Sequence, residues 1–115
     1  MRELTNLEQF DEMLKEAAER PILLFKHSTT CPISAGAYRR VQEYLKQAGE
    51  AGIPELWLVR VHESRAVSNA IAERLGVPHK SPQLLLVQGG KCVWNTSHYD
   101  IGAENIEKAL KERAA

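Results

Sequence analysis

The stretch FKHSTTCPISAG, residues 25–36, decides the fold. It continues an apolar run, Pro21 to Lys26, whose composition predicts a short buried strand. Pro32 suits the first position of a helix, because its ring presets φ and its missing N–H would have no partner there. Beyond it Ala37, Val41, Tyr44, Leu45 and Ala48 fall on one helical stripe, which Gly49 and Gly52 are expected to end. Cys31 therefore stands at a strand-to-helix turn, as the N-cap residue or its neighbour. Free backbone N–H groups and the positive end of the helix dipole there favour a thiolate over a thiol. Lys26 and His27 could add positive potential, in a direction the sequence does not give. Three residues after Cys31, where a dithiol motif carries its second cysteine, stands Ser34.

A free cysteine is also among the residues most often buried as a small hydrophobe. The turn position of Cys31, between Thr30 and Pro32, argues against that here. Ser34 has two readings that can both hold: a local hydrogen-bonder in the first helical turn, or a hydroxyl turned to the Cys31 sulfur. Thr30 could act likewise.

Working outward, Thr5-Asn6-Leu7-Glu8 has the spacing of a capping box, followed by Leu7, Phe10, Leu14 and Ala17 at helical intervals. Leu56 to Val61 predicts a second buried strand. Val67, Ile71 and Leu75 mark a third helix, stopped by Gly76. A loop with Pro78 and Pro82 leads into a hairpin, Gln83 to Val87 and Lys91 to Asn95, turned at Gly89-Gly90. Ala103, Ile106 and Leu110 mark a last helix, capped by Asp100 or Gly102. The order α-β-α-β-α-β-β-α predicts one α/β domain over residues 1–115, a four-stranded mixed sheet with helices on both faces. Cys31 would then lie beyond the C-terminal end of a parallel strand, where such folds place their sites.

The 115 residues carry a formal net charge of zero, with 43% hydrophobic and 26% charged residues. Nothing in that balance points to nucleic acid or a membrane surface. The apolar runs are too short to span a bilayer, and the N-terminus lacks a signal-peptide core. Two cysteines make no disulfide framework, so a reducing, cytoplasmic setting is expected.

Taken together, "HSTTCPIS", "HKSPQ" and "SHYDI" resemble the monothiol bacilliredoxins of the YtxJ-like group, within the thioredoxin-like superfamily. The resemblance covers nearly the whole chain. It implies a thioredoxin-like fold, Cys31 as the redox cysteine and Pro82 as the cis-proline opposite it. It also implies removal of bacillithiol from protein mixed disulfides, by a monomer that binds no cofactor. The partners would be bacillithiolated client proteins and bacillithiol itself, the low-molecular-weight thiol co-substrate. Active-site support would come from Thr30, Pro32, Ser34, Ser81 and Pro82, with Ser81 offering backbone groups to an extended substrate. Bacillithiol joins a cysteine to a glucosamine and a malate. His79 and Lys80 are candidates for its carboxylates, although Lys80 reads more readily as a solvated surface lysine. Gln83 could contact the same ligand.

Cys92 falls in the second hairpin strand. Alternation puts it on the face of Trp94 and opposite Val93, as a packed, unreactive thiol. No disulfide between Cys31 and Cys92 is expected. The four histidines and two cysteines show no metal-ligand spacing, and His98 reads as a structural hydrogen-bonder near the last helix. Two other functions compete with the enzyme. One is an iron–sulfur carrier like the monothiol glutaredoxins, whose Cys-Gly-Phe-Ser differs here at Pro32 and Ile33. The other is a non-catalytic thioredoxin-like adaptor.

Overall fold

Ile22, Leu23, Leu24 and Phe25 have no exposed surface, and the strand they form, β2 (Ile22–His27), is the centre of the sheet. In the computed structural model, which describes residues 1–49 and 53–114, β2 is flanked by β3 (Glu55–Arg60), parallel, and β4 (Gln83–Gln88), antiparallel. A strand buried on both faces reads as a continuous apolar run rather than an alternating one. The sheet is closed by β1 (Arg2–Leu4) beside β3 and β5 (Lys91–Ser97) beside β4, in the order β1-β3-β2-β4-β5.

The helices divide between the faces. α1 (Leu7–Glu19) and α3 (Arg65–Leu75) bring Phe10, Met13, Ala17, Val67 and Ile71 onto the face that carries Ile22, Leu24 and Val59. α2 (Pro32–Ala48) and α4 (Ala103–Ala114) bring Ala37, Val41, Tyr44 and Ile106 onto the opposite face, with Leu23, Phe25 and Leu58. Each of the buried Val, Leu, Ile, Met and Phe side chains among these contributes roughly 1.5–3 kcal/mol. A three-residue 3-10 turn, His98–Asp100, joins β5 to α4.

The expected fold class holds, with one strand more than the four expected. Leu4 is fully buried beside Val59, and Arg2 and Glu3 are anchored laterally. The Arg2 guanidinium lies 3.8 Å over the Trp57 ring, and the Glu3 carboxylate accepts from Arg60 Nε at 2.6 Å. Three residues are too few to show a period, and these are ordered by β3 rather than by their own pattern.

Two other local expectations need correction. The helix cap lies one residue later than the Thr5–Glu8 spacing suggests: Asn6 Oδ1 accepts the Gln9 N–H at 2.9 Å, and Gln9 Oε1 accepts the Thr5 N–H at 2.6 Å. Cys92 and Trp94 do not share a face. Cys92 pairs with Val87 and Trp94 with Leu86, so Val93 is an extra residue in a bulge. Cys92 thus packs on the α1/α3 side, and Val93 and Trp94 on the α2/α4 side.

Gly49 and Gly76 follow α2 and α3 as expected, while Gly52 lies outside the described residues. Gly89 and Gly90 have φ of 64° and 75°, the pair of positive angles that a two-residue hairpin turn of type I′ requires. The Gly102 carbonyl accepts the Ile106 N–H at 3.0 Å, so Gly102 takes the cap position of α4. No helix among the described residues is long and apolar enough to cross a membrane.

Replacing the cap, Asn6→Ala, is expected to lower stability by about 1 kcal/mol. Urea unfolding checks this through a lower midpoint at an unchanged slope.

Candidate active site

Cys31 is the N-cap of α2 and Pro32 its first residue. The Cys31 N–H donates to the Ser28 carbonyl at 3.2 Å and its own carbonyl accepts from Ala35 at 3.0 Å, so the Ser28–Cys31 turn leads straight into the helix. Pro32 has no N–H. Two first-turn donors, Ile33 and Ser34, are therefore left without helical acceptors. The Cys31 side chain is half-buried, whereas Thr30, Pro32 and Ile33 are exposed around it. A sulfur in this place meets both solvent and the positive end of α2.

Ser34 is fully buried, and its hydroxyl is engaged away from the sulfur. Its Oγ accepts the Ser28 N–H at 3.0 Å and lies 2.7 Å from His27 Nδ1. The hydroxyl thereby joins the Ser28 backbone and the His27 ring at the end of β2. Burial lowers the His27 pKa, opposed by the nearby Glu63 carboxylate, and so favours the neutral imidazole. The ring stacks on Tyr38 at 5.1 Å. The expected hydrogen bond from Ser34 to Cys31 is thus replaced by a fastening of α2 to the end of β2. Thr30, exposed in the turn, shows no such bond either among the described residues.

The second side of the site is the loop before β4. The Ser81–Pro82 peptide is cis. Lys26 pairs with Gln83 across the β2–β4 ladder. The cis peptide thus immediately precedes the first β4 residue of that ladder, Gln83. The Pro82 carbonyl accepts the His98 N–H at 3.1 Å. His98, at a positive φ of 55°, is itself tied to α2, because Arg40 donates to the His98 and Ile101 carbonyls at 3.1 and 2.7 Å. The structural role expected of His98 is therefore carried by its backbone. His79 and Lys80 are exposed. Gln83 is buried and donates Nε2–H to the Pro78 carbonyl at 3.2 Å.

Cys92 is far from this end. Its pairing partner Val87 lies four residues along β4 from Gln83, about 13 Å at strand spacing. A disulfide needs Cα atoms within about 7 Å. The Cys92 thiol donates to the Trp94 carbonyl at 3.3 Å; burial raises its pKa, opposed by hydrogen bonding from the Trp94 backbone and the Asn95 side chain. Both cysteines are free. Among the described residues, no three His, Cys, Asp or Glu side chains gather as a metal-binding group.

Two residues at the site carry more than the sequence suggested. His27 is the hydrogen-bond partner that orients Ser34. Lys26 has no exposed surface and its Nζ has no partner. Burial pushes its ammonium down to about 8. Alternation along Ile22, Leu24 and Lys26 was the available signal, since it puts this lysine among core positions.

The model of the family described as monothiol bacilliredoxin BrxC matches residues 2–106. The chain belongs to that family. A solved thioredoxin-fold protein named as a candidate oxidoreductase is 31% identical, with 94% of this chain and 91% of that one covered and a TM-score of 0.83. The thioredoxin of Fasciola hepatica, at 18% identity, 97% and 98% coverage and a TM-score of 0.73, shares the fold. So does mitochondrial thioredoxin 3 of Saccharomyces cerevisiae, at 17% identity, 97% and 94% coverage and a TM-score of 0.72. Fold and family make this bacilliredoxin a thiol–disulfide oxidoreductase.

Ser34→Ala leaves the Ser28 N–H and His27 Nδ1 unpartnered. It is expected to destabilise by about 2 kcal/mol, read from urea midpoints. Lys26→Met should do the reverse, stabilising by on the order of 2 kcal/mol at pH 7, because a desolvated ammonium is removed. Below pH 8 the lysine is charged in both folded and unfolded chains, and the folded state bears the full cost. Between about 8 and 10.5 only the unfolded lysine keeps its proton, so wild-type stability rises with pH and the gap to Lys26→Met narrows. A gap that stays constant to pH 10 would contradict this.

Proposed function

We propose that the protein removes bacillithiol from protein mixed disulfides through Cys31 alone. One observation carries this reading: a half-exposed thiol at the N-terminus of α2 has no second thiol within reach. The position three residues on is Ser34, buried and bonded to His27, and Cys92 stands at the far end of the hairpin.

The Cys31 thiolate attacks the bacillithiol sulfur of the mixed disulfide in line and expels the client thiolate, which takes a proton from water. The client leaves reduced and Cys31 holds bacillithiol as a new mixed disulfide. The free N–H groups of Ile33 and Ser34 stabilise negative charge on sulfur, both in the attacking thiolate and when Cys31 is the leaving group. An external thiolate, bacillithiol itself, then attacks the bound bacillithiol sulfur. It releases oxidised bacillithiol and restores the Cys31 thiolate. Backbone groups of Ser81, before the cis peptide that leads into β4, offer hydrogen bonds to the extended chain that carries the disulfide. Bacillithiol and bacillithiolated proteins are thus its partners, and a reducing cytoplasm its setting.

A client protein carrying one bacillithiol is the direct substrate. Wild type is expected to strip the bacillithiol mass from it, and Cys31→Ala to leave only the uncatalysed rate, both followed by mass spectrometry. Equal loss with the two proteins would refute the proposal.

A further inference from the structure

Most of the buried polar atoms left without partners lie on β2, α3 and the start of β4. Among the described residues five buried side-chain nitrogens or oxygens lack a hydrogen bond, and four of them are Lys26 Nζ, Gln83 Oε1, Ser81 Oγ and Ser68 Oγ. Lys26 and Gln83 face each other across β2 and β4. Ser81 precedes Gln83 by two residues. Ser68 is buried in α3, which covers the same sheet face through Val67 and Ile71. Buried groups of this kind are costly unless something satisfies them.

The segments that rim this spot, residues 61–66 and 77–83, hold His62, Arg65, His79 and Lys80 against a single acid, Glu63. Glu63 is directed elsewhere, to Arg60 at 3.5 Å and Thr29 at 3.2 Å. Arg65 donates to His62 Nδ1 at 3.3 Å, and among the described residues neither Arg65, Lys80 nor Lys26 meets a carboxylate. Arg2, Arg20, Arg60, Arg74 and Lys111 do, and what sets the corner apart is the gathering of several unpaired cations on two neighbouring segments. Three of the charges converge on His79, whose pKa is lowered by burial first and then by Lys26, Arg65 and His62. The 61–66 segment is tied to the chain that leads into Cys31: the Val61 N–H donates to the His27 carbonyl at 2.9 Å and Thr29 Oγ1 donates to the Glu63 carboxylate at 3.2 Å.

We propose that this unneutralised corner is the subsite for the carboxylate end of the small thiol exchanged at Cys31. Arg65 and Lys80 supply charge-assisted hydrogen bonds to it, and Lys26 supplies the positive potential beneath. The inference rests on the thiol-exchange reading above. The small thiol is the favoured occupant because it is the same in every cycle, whereas clients differ, and a fixed charge pattern serves a fixed partner. The cost of burying Lys26 then has a functional counterpart, the usual exchange of stability for activity at a site.

The test compares one client protein carrying either bacillithiol or neutral 2-mercaptoethanol as its mixed disulfide. The readout is the ratio of kcat/KM for the two. Wild type should favour bacillithiol by about tenfold or more, the scale of one charge-assisted hydrogen bond, and added salt should shrink the ratio. In the double variant Arg65→Gln/Lys80→Gln the ratio should fall towards one, and Arg65→Lys should retain part of it. A wild-type ratio near one, or a ratio the double variant leaves intact, would overturn the subsite while leaving exchange at Cys31 standing. A preference that follows client charge, tested with an acidic and a basic client, would assign the corner to clients and overturn it too. Absence of Cys31-dependent turnover of both disulfides would remove the exchange reading itself.

Discussion

The site depends on one fastening: the first turn of α2 is held to the end of β2 by the Ser34 hydroxyl. That oxygen takes the Ser28 N–H and bonds the His27 ring, both at the end of β2. A helix N-terminus is useful to a sulfur only if it stays where the sulfur is, and Cys31 has no capping bond of its own to keep it there. The residue that might have been a second redox thiol is instead the part that fixes the first in place. Single-thiol chemistry and a rigid site are two consequences of one side chain.

The remaining ties follow the same plan. Arg40 binds α2 to the His98–Ile101 segment, and the His98 N–H binds that segment to Pro82. The loop bearing the cis peptide and the helix bearing Cys31 are thereby linked through a third element, independently of the β2–β4 ladder. Charges not needed for this scaffold are paired at the surface, where ion pairs are worth little.

Much of this was legible in the sequence because local chemistry agreed with the global fold. The apolar run before Cys31, Pro32 after it and the helical stripe from Ala37 specify strand, turn and helix with no tertiary knowledge. Other features were not legible, for physical reasons. β1 is three residues ordered by β3. The bulge at Val93 breaks the period-two rule by which Cys92 was placed with Trp94. The partner of Ser34 depends on which way a strand-end histidine turns, and the burial of Lys26 depends on α3 closing over it. Both are tertiary facts that a local reading can raise but not decide. Resemblance supplied the cis-proline, which sequence frequencies alone would not favour.

The central claim is that Cys31 works by exchange with an external small thiol and not with a second cysteine of its own chain. Intact-mass and peptide mass spectrometry after incubation with oxidised bacillithiol tests it most directly. The account predicts one bacillithiol on Cys31, none on Cys92, and its removal by free bacillithiol. A Cys31–Cys92 disulfide, or a Cys31 that stays unmodified, would contradict it.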